Sequence, residues 1–169
     1  PHAFLCKLAK GYVPGDSDFA WTRLTAWREQ LAAILDQPPY DKVLGAEVTG
    51  PVDSPSVDLL AAWLGLQLGV KVSLIRTPAD KQKHGLVGVK LMRKSGDIEI
   101  VRNAPGVATL IQPSQPTRTI SLPRPSLRDC LMEDLRRLDP DDLFGKVVTK
   151  SFKGKTVKPT VTRGAKGLK

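Results

Sequence analysis

The sequence predicts a mixed α+β fold, with helices packed on a largely antiparallel sheet that includes one βαβ unit. Three observations carry that reading. Residues 42–75 run strand, helix, strand. Residues 86–122 hold short period-two runs between turn residues, and residues 19–36 and 126–138 repeat apolar side chains at spacings of three and four. The chain has 169 residues, 41% hydrophobic and 25% charged, the composition of one globular domain able to hold a core without metals or disulfides.

Residues 1–17 carry Gly11, Pro14 and Gly15 without a sustained period. They read as a linker from a missing N-terminal part, with a short strand near Phe4 to Leu8. Residues 18–148 read as the single α/β domain. From Phe19 to Asp36, the side chains of Ala20, Leu24, Trp27, Leu31, Ile34 and Leu35 fall on one helical stripe. Ser17 or Asp18 can cap its start, and Pro38-Pro39 stops it. Trp21 and Arg28 share one flank of the stripe, where a guanidinium needs a carboxylate, a carbonyl or a ring face.

A strand over Lys42–Thr49 and the turn Gly50-Pro51 lead to Ser54-Pro55, an N-cap followed by proline at the first helical position. Val57–Leu68 is apolar nearly all round, which predicts a buried helix. Gly69 ends it, and Val70–Ile75 is the next strand, reached by a right-handed crossover. The polar loop that follows holds His84, expected to be solvated. Leu86–Met92 and Ile98–Arg102 flank Lys94-Ser95-Gly96-Asp97, a hairpin signal, and Val107–Ile111 and Thr117–Leu122 extend it into a meander.

Ser126 and Asp129 form a capping-box pattern at the head of a second amphipathic helix. Its Leu127, Leu131, Leu135 and Leu138 are expected to line a buried face, with Glu133 pairing with Arg136 or Arg137 at the surface. Asp139-Pro140 ends that helix and starts a last short one through Phe144.

Charge is uneven. Lys and Arg number 26 against 17 acidic residues, a net of +9. Lys146, Lys150, Lys153, Lys155, Lys158, Arg163, Lys166 and Lys169 crowd the end of the chain, where no acid occurs, so the body is close to neutral. Residues 149–169 read as a disordered basic tail. Such an arm suits nucleic acid, although Phe152 is its only base-stacking aromatic.

Catalytic patterns are missing: no Walker loop, no GxGxxG after a strand, no GxSxG and no HExxH occur. With only His2 and His84, no metal site is expected, and no cofactor either. Cys6 and Cys130 are too few for a disulfide scaffold and suit a reducing cytoplasm. No apolar run approaches the roughly 18 residues of a membrane span, so no membrane partner is expected. Ser54 and Ser56, beside Gly50 at a helix start, make a candidate anion site for a phosphosugar. Binding is the expected occupation, not catalysis. Trp21, Arg23, Trp27 and Arg28 form one candidate partner-binding patch, and Arg124, Arg136 and Arg137 a second, because such side chains dominate protein interfaces.

Three blocks add a resemblance. DFAWTRLTAWR (Asp18 to Arg28), SPSVDLLAAWLGLQLGV (Ser54 to Val70) and PRPSLRDCLMEDLRRLDPDDL (Pro123 to Leu143) closely resemble the glucose-6-phosphate dehydrogenase assembly protein family, OpcA. The likeness spans residues 18 to about 148, the family's C-terminal part. It implies a bacterial, cytoplasmic, non-catalytic accessory protein. The implied partner is glucose-6-phosphate dehydrogenase, whose assembly or active oligomeric state it promotes, so regulating the oxidative pentose phosphate pathway and NADPH supply. The alternative is a nucleic-acid-associated protein acting through the basic arm.

Overall fold

The computed structural model describes residues 1–79 and 85–153. Its strands are Val43–Pro51 (β1), Val72–Thr77 (β2), Gly88–Arg93 (β3), Ile98–Ala104 (β4), Gly106–Ile111 (β5) and Arg118–Leu122 (β6). They form one sheet in the order β2-β1-β3-β4-β5-β6. β1 and β2 are parallel and every other pair is antiparallel, as the βαβ unit and the meander require.

Alternation gives this sheet two unlike faces. Ala46 and Val48 of β1, Val89 and Leu91 of β3, Ile98 and Ile100 of β4, and Ala108 and Leu110 of β5 are buried under helices. Their neighbours Glu47, Lys90, Glu99 and Thr109 point the other way and are half-exposed. On that outer face Lys90 Nζ pairs with Asp97 Oδ2 at 2.9 Å and Glu99 Oε1 at 3.0 Å, bracing the β3–β4 hairpin.

The helices are His2–Gly11 (α1), Phe19–Thr22 (α2), Thr25–Leu35 (α3), Pro55–Leu68 (α4), Leu127–Arg136 (α5) and Asp142–Phe152 (α6). α4 is the buried crossover, ended by Gly69 in the left-handed region at φ 64°. Inside its apolar surface it carries one charge. Asp58 is buried and accepts a 2.6 Å bond from Arg76 Nη2 of β2, tying the crossover to the strand it feeds. His2 Nδ1 lies 3.6 Å from the same carboxylate, bringing α1 to the pair.

Four expectations need correction. Residues 1–17 are not simply a linker: α1 occupies most of them and buries Leu5 and Ala9 in the core. The helix expected over residues 19–36 is broken at Arg23-Leu24 into α2 and α3. The last helix runs past Phe144 to Phe152, because Val147, Val148 and Phe152 continue its buried stripe. Residues 149–152 therefore belong to α6, not to a tail, while 154–169 and His84 lie outside the described residues. Finally, the leucines of α5 do not line a buried face; only Cys130 of that helix is buried.

Gly50 permits the tightest approach of helix to sheet. A Cβ there would sit 2.5 Å from Val57 Cγ2 in the first turns of α4. Gly50→Ala is expected to lower stability by about 1–3 kcal/mol, the cost of overpacking a core. Gly11→Ala, with open space around it, serves as the control. Thermal melts followed by circular dichroism check both; an unshifted midpoint for Gly50→Ala contradicts this packing.

Candidate protein-interaction surface

The two tryptophans expected to meet a partner are sealed inside. Trp21 is 3% exposed and Trp27 is 1% exposed, so neither indole presents a contact surface. Their helices face the core with the apolar stripe that carries both. Trp21 packs against Phe144 of α6, ring centroids 5.7 Å apart, and donates from Nε1 to Asp141 Oδ2 at 2.9 Å. The Arg102 guanidinium lies 5.3 Å from the Trp27 ring centroid.

Arg28 meets the ring face its position demands. Its guanidinium carbon sits 4.0 Å from the Trp21 ring centroid, and Nη2 donates to Thr25 Oγ1 at 3.2 Å. Burial pushes its pKa below the ordinary arginine value, against the pull of Asp141. Arg23 Nε donates to the Pro125 carbonyl at 3.4 Å and belongs to the seam between α2 and the segment leading into α5. Arg23 and Arg28 are thus engaged within the molecule. The first patch dissolves into the core and its margin.

Of the two serines of the candidate anion site, one is engaged within the molecule. Ser56 Oγ donates to the Ala20 carbonyl at 2.9 Å, and Ser54 caps α4 without a side-chain bond. Asp58, a turn further on, already supplies negative charge to that helix end. Among the described residues no group of three or more His, Cys, Asp or Glu side chains is placed to hold a metal ion.

What the fold does expose is the outer face of α5. The capping box forms as the sequence predicts: Asp129 N donates to Ser126 Oγ at 3.2 Å and Ser126 N to Asp129 Oδ2 at 3.0 Å. The inward side of the helix is polar. Glu133 Oε1 accepts from Thr25 Oγ1 at 3.0 Å, not from the arginines expected beside it. Asp134 accepts from Thr22 Oγ1 at 3.0 Å and Ser17 Oγ at 2.9 Å. Cys130 completes that side, its thiol pushed up by burial against the pull of Arg23. Turning those three inward sends the leucines out. Leu127 is 58% exposed, Leu131 46%, Met132 44%, Leu135 66% and Leu138, just past the helix, 94%. Arg124, Arg136 and Arg137 are exposed but do not form one patch: Arg124 lies against Gly85, Arg137 is paired with Asp141, and Arg136 stands on α5 itself. A cleft of about 210 Å³ opens where the stripe ends, lined in part by Trp21, Asp134, Leu138 and Phe144.

With this geometry in view, residues 14–148 match the family described as the C-terminal domain of a glucose-6-phosphate dehydrogenase subunit. The chain belongs to that family. Its description associates the domain with glucose-6-phosphate dehydrogenase, and the matched span holds α2 to α5 and every strand, leaving α1 outside. No match was found among the curated proteins compared.

The signal for the exposed stripe lies in Cys130, Glu133 and Asp134. These share one side of α5, and Glu133 and Asp134 meet their hydroxyl partners only if that side turns inward. Leu135→Ser is expected to change stability by no more than about 0.5 kcal/mol, as for an exposed site. A loss of about 2 kcal/mol or more in urea unfolding would place that leucine in the core.

Asp141 gives this family domain a pH signature. Burial alone would raise its pKa, but bonds from Phe144 N, Trp21 Nε1 and Arg137 outweigh burial and hold it below the usual carboxylate range. A depressed carboxylate stabilises the fold above its unfolded pKa and loses that effect as pH falls through the folded value. Asp141→Asn is therefore expected to be less stable than the unaltered chain at neutral pH. The two unfolding curves should converge on acidification. A gap that stays constant across a urea series at falling pH contradicts this role.

Proposed function

We propose that this chain is a non-catalytic effector that associates with glucose-6-phosphate dehydrogenase and promotes its assembly or active oligomeric state. The observation that carries the reading is the family match over residues 14–148, whose description is that of a dehydrogenase subunit domain. The outer face of α5 supports it physically, since five large apolar side chains stand in water on one surface helix and its end. Such a role sits in the cytoplasm and governs entry to the oxidative pentose phosphate pathway, and with it NADPH supply. No helix among the described residues is long and apolar enough to cross a membrane.

An effector of this kind works by differential affinity. It must bind the competent oligomer more tightly than the idle form, and a difference of about 1.4 kcal/mol shifts that equilibrium tenfold. No residue of the chain needs to touch substrate for that. The test is the glucose 6-phosphate saturation curve and the sedimentation profile of the dehydrogenase, each recorded with and without the chain. Lower half-saturation or a shift to a larger oligomer is expected. A dehydrogenase unchanged in both measurements contradicts the proposal.

A further inference from the structure

Resting on the association proposed above, we infer that the outer face of α5 is the docking site. Its occupant is an amphipathic helix of the partner whose apolar ridge is flanked by carboxylates.

The shape argues for a helix. Leu127, Leu131 and Leu135 are four residues apart, so they stand as one continuous ridge about 12 Å long, with Leu138 carrying it toward the cleft beside Trp21 and Phe144. Ridges of that spacing interlock with the grooves of a second helix. Leucines of this kind, each mostly or half in water, gain by burial only if another apolar face covers them.

The charge argues for an acidic flank. At about 100° per residue, Arg128 falls inside the stripe between Leu135 and Met132, and Arg136 borders it. Among the described residues neither arginine forms an ion pair. The acids of α5 leave most of this charge unmet: Glu133 and Asp134 are bonded inward, and Asp129, which feels Arg128 without pairing with it, is held in the capping box. The outward balance of the face is therefore cationic. Covering it buries or crowds two guanidinium groups, which requires carboxylates in matching positions. Arg128 and Arg136 are eight residues apart, so their partners would be two acids about two turns apart on the docking helix.

The same charges disfavour two other occupants. A second copy would bring a like-charged face against this one. A membrane surface would have to take up Arg128 from the middle of the apolar stripe, whereas surface-seeking helices keep cations on their polar side.

The test is binding of the full chain to immobilised glucose-6-phosphate dehydrogenase by biolayer interferometry. The unaltered chain is compared with Leu131→Asn/Leu135→Asn, with Arg128→Glu/Arg136→Glu and with Val52→Asn, an exposed change on the turn before α4. Circular dichroism melts verify that each variant is folded. Both α5 variants are expected to weaken binding about tenfold or more, as interface anchors do, while Val52→Asn binds like the unaltered chain. Equal binding by the α5 variants overturns this docking site and leaves the association standing. No binding by the unaltered chain overturns the association, and this site with it. Sedimentation showing a dimer that the leucine variant loses would assign the face to a second copy. Pelleting with phosphatidylserine vesicles that the leucine variant also loses would assign it to a membrane. Either result overturns the acidic helix.

Discussion

The inward side of α5 is polar, and much of the molecular surface follows from that. Glu133 and Asp134 accept hydrogen bonds from the hydroxyls of Thr25, Thr22 and Ser17, and the Cys130 thiol is buried beside them. A carboxylate needs such partners wherever it leaves water, and the threonine hydroxyls are fixed by α2 and the start of α3. The observed rotation of the helix about its axis is the one that brings those groups to their partners. That rotation faces the leucines outward. An apolar dock would have hidden them and left a featureless charged surface.

The same region explains why the tryptophans are not the contact surface. Trp21 is held from three directions: its ring by Phe144, its face by the Arg28 guanidinium, its Nε1 by Asp141. Asp141 in turn caps α6 through the Phe144 amide and pairs with Arg137. Four helices therefore meet through one indole and one carboxylate. The aromatic and cationic groups that resemble an interface in sequence act here as the internal joint that sets the position of α5, and hence of the exposed ridge.

Local chemistry is legible in the sequence. The βαβ unit, the hairpin at Lys94–Asp97, the Gly69 stop and the Ser126–Asp129 box each depend on residues a few positions apart, and each is found as read. The way a helical face points is not legible. Periodicity states which side chains share a face, and only tertiary contacts decide whether that face meets the core. The leucines of α5 mislead for this reason. The extent of α6 is masked because Lys146 and Lys150 merge with the run of lysines that follows the helix, although they stand among the buried Val147, Val148 and Phe152. α1 is masked because its two buried positions, Leu5 and Ala9, make too thin a stripe beside Gly11, Pro14 and Gly15. The Asp58–Arg76 pair is hidden for the opposite reason, a single acid inside an apolar run giving no hint of the strand arginine that meets it.

A sheet covered on one side, a buried aromatic joint and an outward leucine ridge together describe a scaffold that presents a helix. Hydrogen–deuterium exchange of the chain, with and without glucose-6-phosphate dehydrogenase, reads that claim at the backbone. Slowed exchange concentrated in residues 127–138 is the result the account predicts. Slowed exchange elsewhere with 127–138 unchanged would contradict it.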